Sequence, residues 1–477
     1  MNKSKKKLIN ISKKTFIQVI ILLAALMVIA IILTYLVPKG RFGTAPDGTT
    51  DYLTYIRLND ASGIPLIQGI SAPILVFFSD DGLTLLMLSL FLMVISAAFQ
   101  VMNDVEGIRA LIGAVSTRFR NRRVLLLVII SFLFYSFGSF LGLFEEMLTM
   151  FPIVASLCVL LGYDSFCGFI CTILSCGFGF ASAVTNPFTV LLASGIIGVN
   201  PMAKIWYRLI IFVCMFPLLL AFLFLYLRRL EKDPSSSLTL KHDETIRLST
   251  DEHSSSGNDR FGDPARIRIV YSIFLLGALA LIIISSLLES TRSYSVVFLI
   301  AYFLIGGIAA GAAASRDIRF VLKSFLGGLV SVLPTIVFIA MAASIKFIFD
   351  RGAILPTIVH QINVLAEGRS PFQIALIIYL IVLVLEFFIS SSSAKAILVM
   401  GLLAVVNVGL SKSMMVLLYT FADGYTNVLF PTSPVLLISL SMIEVDYFTW
   451  IKKSFPLFLT NFILVLLFIG LGVIIGY

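Results

Sequence analysis

Eleven apolar runs dominate this chain, near residues 16–37, 83–103, 124–162, 165–198, 206–227, 269–288, 295–314, 328–349, 371–407, 412–440 and 454–477. A helix of about 20 apolar residues crosses a hydrocarbon core roughly 30 Å thick. In lipid every backbone polar group must be satisfied internally, so unbroken apolar runs of this length fold as helices. With 59% hydrophobic and 13% charged residues over 477 positions, too few charges remain to coat a water-facing surface. The expected class is an all-α polytopic membrane protein; a soluble enzyme, a nucleic-acid binder and a disordered scaffold are excluded.

The net charge of +9 sits in short basic clusters beside the runs, where such clusters orient a membrane protein. Residues 1–15 form a basic tail, expected in the cytoplasm, and the run after it is too long for a signal-peptide core. Loop 38–82, with three basic and five acidic residues, then falls outside. Arg109, Arg118, Arg120, Arg122 and Arg123 fall inside, as do Arg316, Arg319 and Lys323. The polar stretch 228–268, with Ser235–Ser237 and Ser254–Ser256 at its middle, reads as a flexible cytoplasmic linker. If 124–162 crossed fully, Arg228 and Arg229 would lie outside. The charges agree when it enters halfway and returns, turning at Gly138-Ser139-Phe140-Leu141-Gly142. The second half repeats this order inverted. Residues 350–369 form an amphipathic outer stretch, and 371–407 turns back at Ser390-Ser391-Ser392-Ser393-Ala394-Lys395.

Each hairpin is followed by a helix with a polar interruption. The first, 165–198, contains Ser182-Ala-Val-Thr185-Asn186-Pro187-Phe-Thr189. The second, 412–440, contains Asp423-Gly424-Tyr425-Thr426-Asn427-Val-Leu-Phe-Pro431-Thr432-Ser433-Pro434. Residues 16–227 and 269–477 thus read as two inverted repeats. A broken helix offers free N–H groups to an anion and free C=O groups to a cation at membrane depth. Candidate binding residues are Ser139, Thr185, Asn186, Ser391, Ser392, Ser393, Asp423, Thr426, Asn427 and Thr432. Glu145, Glu146 and Lys395 are further candidates, because ionisable groups in spanning segments default to function. Lys395 pairs with a substrate carboxylate, pairs with Glu386 or snorkels towards the interface. Asp423 suits a coupling cation, a proton or a substrate amine.

The opposed hairpins and the two Thr-Asn breaks resemble the ion-transporter superfamily. Within it they are similar to the C4-dicarboxylate anaerobic carrier family, in its YfcC-like branch. Ser182 to Ser194 and Asp423 to Pro434 carry most of the likeness, which covers nearly the whole chain. The resemblance implies a homodimer with a scaffold and a transport region that shifts like an elevator, and a ligand held near the tips and breaks. It also implies C4-dicarboxylates by the family's name and arginine–ornithine exchange by members of the branch. Sodium-coupled relatives carry Ser-Asn-Thr at the tips, from which both tips here depart.

The residues themselves favour a secondary transporter in the cytoplasmic membrane for a small carboxylate-bearing solute. Acids near the expected site outnumber the one base, which favours an amino acid, especially a basic one, over a C4-dicarboxylate. Coupling is to H+, Na+ or a counter-substrate, with lipid as the surrounding partner. A polytopic membrane enzyme is the reading from another class. His242 and His253 lie in the linker and His360 in the outer stretch, so the membrane interior offers no histidine base or metal ligand. No phosphate-binding GxxxxGK[ST] loop occurs, no cofactor is implied, and the five cysteines read as buried small hydrophobes.

Overall fold

The computed structural model describes residues 13–44, 50–58, 62–80, 82–108, 110–111, 120–240, 242–244, 264–287, 294–389, 392–405 and 409–477. Among these, nine helices are long and apolar enough to cross a membrane. They fall into two packed groups. In one, Lys13–Leu36 lies along Leu333–Arg351, and Gly82–Asp104 packs against Ser295–Ser315 and Ile318–Ser331. Gly307, Gly311 and Gly328 rest against Ala98, Val101 and Ala97, where a side chain would collide. Small residues of this kind let membrane helices approach closely. The expected run 328–349 divides in two at Val332, because Pro334 starts a new helix.

The other group holds the hairpins and the interrupted helices. The first hairpin consists of Arg123–Leu141 and Met147–Leu160. Its two ends meet: Arg123 donates to the Leu161 carbonyl at 3.4 Å and lies 4.8 Å from the centre of the Tyr163 ring. Arg123 and the Tyr163 hydroxyl both reach Glu231, near the end of helix Ile205–Lys232. The chain therefore returns to the end where it entered, as the charge pattern requires. In the second hairpin Pro371–Phe388 is followed by Ser392–Val405. Each second arm has 14 residues, or about 21 Å at 1.5 Å per residue, too short to span the core.

Both interrupted helices break where proline dictates. Asn186 is extended (φ −51°, ψ 121°) before Pro187, which opens the next piece, Pro187–Ile197. Ser433 is likewise extended (φ −79°, ψ 113°) before Pro434, which opens Pro434–Met442. A pyrrolidine ring disfavours helical geometry in the residue before it and is tolerated in a first turn. The two breaks cross each other, with Gly424 against Ala181 and Gly177 against Val428.

Two features depart from the expectations. Loop 38–82 carries an antiparallel ribbon, Gly40–Thr44 with Thr50–Arg57. It is fastened to the amphipathic helix Leu355–Ala366 by a Tyr55–Thr357 hydroxyl bond of 2.8 Å and by Tyr55 stacked on His360. The start of the expected flexible linker is docked. Asp164 caps Cys167 N at 2.9 Å and accepts from Tyr226 and Ser237. Asp243 accepts from Ser165 N, Ser165 Oγ and Thr239 Oγ1. Two carboxylates at a helix N-terminus satisfy N–H groups that would otherwise lack partners. Burial pushes the Asp243 carboxyl up to about 6. Residues 245–263, with His253 and Ser254–Ser256, lie outside the described residues.

Candidate substrate and ion site

The second hairpin brings three ionisable side chains together in the protein interior. Glu386 comes from the last turn of Pro371–Phe388, Lys395 from the first turn of Ser392–Val405, and Asp423 from the last turn of Lys412–Thr426. Their exposures are 3%, 0% and 0%. The Lys395 ammonium lies 2.7 Å from Asp423 Oδ1 and pairs with the Glu386 carboxylate. It also donates to the Ile389 carbonyl at 3.2 Å. Ile389 caps the end of the first arm, where free carbonyls attract a cation. Ser392 Oγ donates to Asp423 Oδ2 at 2.8 Å, Thr426 Oγ1 to Glu386 Oε2 at 3.3 Å, and the Tyr419 hydroxyl to the Ser392 carbonyl. Every charge thus has an opposite partner, the condition under which ion burial is tolerated.

The first hairpin presents a neutral counterpart. Asn186 is fully buried and donates through Nδ2 to the Gly138 carbonyl at 3.1 Å. Its Oδ1 accepts from Phe188 N at 2.9 Å and Thr189 N at 3.2 Å, capping the helix after the break. Ser139 Oγ donates to the Ser182 carbonyl, and Thr185 Oγ1 to that of Phe140. Gly142 turns the tip at φ +67° beside Asn186, where a Cβ would crowd the amide. Its neighbour segments Phe137–Leu141, Ile170–Leu174 and Pro187–Leu191 are π-turns. Such turns frequently accompany functional sites.

The other sequence candidates separate. Ser391 lies outside the described residues, as does the side chain of Ser393. Thr432 is buried within the second break. Glu146 turns inward and accepts from Phe144 N at 3.2 Å. Glu145 is exposed and has no ion-pair partner among the described residues. Glu386, read from the sequence as a partner for Lys395 and as one of the acids near the site but not as a binding residue, belongs to the cluster; its signal was an acid inside an otherwise apolar run.

The two asparagines differ in what they hold. Asn186 links tip to break, whereas the one side-chain bond seen to Asn427 among the described residues runs from Nδ2 to its own helix, at Asp423 O. Asn186→Ala is expected to cost about 2–4 kcal/mol, through a lost cap and orphaned backbone groups. Asn427→Ala should stay within about 1 kcal/mol of wild type while slowing transport. Thermal unfolding of the purified variants, together with solute flux, tests this; equal stability of the two would refute it.

The profile of the C4-dicarboxylate anaerobic carrier family matches residues 16–474. The chain belongs to that family. This carrier is therefore a multi-pass membrane transporter and not an enzyme. It is 26% identical over 454 residues to a protein of Escherichia coli (strain K12) named "Putative basic amino acid antiporter YfcC", covering 88% of each chain. It is 23% identical to an uncharacterized Haemophilus influenzae protein, over 77% of this carrier and 71% of the relative. Among solved structures, Neisseria gonorrhoeae MtrF, described as one of a class of antimetabolite efflux pumps, aligns at 16% identity. Its TM-score is 0.44, with 95% of this chain and 94% of that one covered.

Proposed function

We propose that this carrier is an antiporter of small amino-group-bearing carboxylates, basic amino acids foremost, in the cytoplasmic membrane. The observation that carries the reading is the charge state around Lys395. Its ammonium is already shared by two carboxylates and a carbonyl. The buried cluster therefore has no unspent positive charge to offer a dicarboxylate. Exposed Glu145 at the first tip, within electrostatic reach of Asp423, adds a further acid to the same region. A guanidinium or ammonium fits that balance, and helix stumps at the breaks supply N–H groups for the substrate carboxylate. Basic amino acid antiport in the name of the Escherichia coli relative supports the same reading.

Ser139, Thr185, Asn186, Ser392, Asp423, Thr426, Asn427 and Thr432 line the route in this reading, with Ser391 and Ser393 completing the second tip. The hairpin-bearing group shifts against the other helices in an elevator-like step, within a homodimer whose amino terminus is cytoplasmic. Proteoliposomes loaded with unlabelled ornithine should take up labelled arginine, and unloaded ones should not. One-for-one exchange of like-charged solutes moves no net charge, so an imposed membrane potential should leave the rate unchanged. Uptake driven by internal succinate in place of ornithine would favour the dicarboxylate reading that the family's name supports.

A further inference from the structure

We propose that Lys395 is a resident cation, whose ammonium fills the place an alkali coupling ion would take in the second hairpin, so that transport proceeds without Na+. The ligands carry the argument. Lys395 Nζ is met by the Glu386 carboxylate, by Asp423 Oδ1 at 2.7 Å and by the Ile389 carbonyl at 3.2 Å. Two carboxylates and a carbonyl at a helix C-terminus are hard oxygen donors, the set an alkali ion selects. The ammonium is fully buried and already takes up the Glu386, Asp423 and Ile389 oxygens, so an alkali ion finds no vacant ligand set there.

The tether distinguishes this cation from a dissolved one. Lys395 stands on the second arm of the same hairpin that ends its first arm at Ile389. The charge moves with its carboxylates and cannot leave to either solution. It offsets one of their two charges throughout the cycle and draws no energy from an ion gradient. The first hairpin follows the same plan with a neutral group, because Asn186 Nδ2 occupies the Gly138 carbonyl. A transporter so built is driven by its counter-solute. This link to exchange rests on the antiport reading above; the ion-site assignment does not.

The test uses the full chain purified in detergent, with NaCl compared against choline chloride at equal ionic strength. Wild-type Tm should be the same in both salts. Lys395→Ala should unfold at lower temperature in choline and recover by about 2 °C or more on adding Na+ or n-propylammonium. Restoration by neither cation overturns the proposal. So does a Na+-dependent rise in wild-type Tm, which needs no variant and decides the matter even where Lys395→Ala does not fold. In proteoliposomes, wild-type arginine–ornithine exchange should run at one rate in Na+ and in choline, and a tenfold Na+ stimulation would overturn it. Absence of any arginine exchange counts against the antiport reading alone, since the unfolding measurements still decide the role of Lys395.

Discussion

Asp423→Ala should lower the stability of this carrier by about 2–3 kcal/mol and abolish transport. Lys395 loses one of its two carboxylates, and the Ser392 hydroxyl loses its charged acceptor. Asp423 holds Lys395 at 2.7 Å and receives Ser392 Oγ at 2.8 Å. Its removal leaves the ammonium on Glu386 and the Ile389 carbonyl, and frees the first turn of the second arm. A triple variant separates folding from function. Glu386→Met, Lys395→Met and Asp423→Leu together replace the cluster by apolar side chains, an exchange that is often neutral or stabilising. The triple should unfold near the wild-type temperature and carry no solute. Fluorescence-detected thermal unfolding and arginine flux read the two properties separately. A triple that transports at the wild-type rate would show that the charges serve packing alone.

What the sequence made legible was whatever lipid physics imposes locally. Charge placement required 124–162 to re-emerge where it entered, and Arg123 meeting Leu161 and Tyr163 shows the same return. Pro187 marked the first break, because a missing N–H and a restricted preceding residue act without tertiary help; the second was read at Pro431, whereas the helix resumes at Pro434. Contacts between distant segments were less accessible. The sequence left Lys395 open between a substrate carboxylate, Glu386 and the interface, and it did not join Lys395 to Asp423. That pairing depends on how the arm 392–405 faces the broken helix 412–426. Asn186 read as a ligand, yet its amide is bonded on both sides by backbone. The ribbon at 40–57 was hidden because the segment is polar and short, and it is held by Tyr55 on the helix 355–366. The docking of Ser237 and Asp243 was masked by a serine-rich composition that reads as flexible until a helix end nearby supplies N–H groups.

Gly424→Val should prevent folding, because at this position the two broken helices touch backbone to backbone. A Cβ on Gly424 would lie within the van der Waals shell of Ala181 Cα and N. Neither group can yield by a rotamer change. Overpacking of an ordinary core costs about 1–3 kcal/mol, and here the displaced atoms belong to main chain on both sides. A shift of Ala181 carries Ser182 with it, and the Ser182 carbonyl accepts from Ser139 Oγ at the first tip. A shift of Gly424 instead moves Asp423 away from Lys395. The crossing is thus the point through which the neutral hairpin and the charged one feel each other. Gly327→Ala provides the contrast of opposite sign. Gly327 is exposed within the helix Ile318–Ser331, with nothing inside 4 Å of an added Cβ. Alanine there should stabilise by about 0.5–1 kcal/mol through backbone entropy. Monodisperse protein recovered in detergent should fall by about tenfold for Gly424→Val and hold or rise for Gly327→Ala. Normal recovery of Gly424→Val would mean that the breaks are not in backbone contact, and that the hairpins are joined elsewhere.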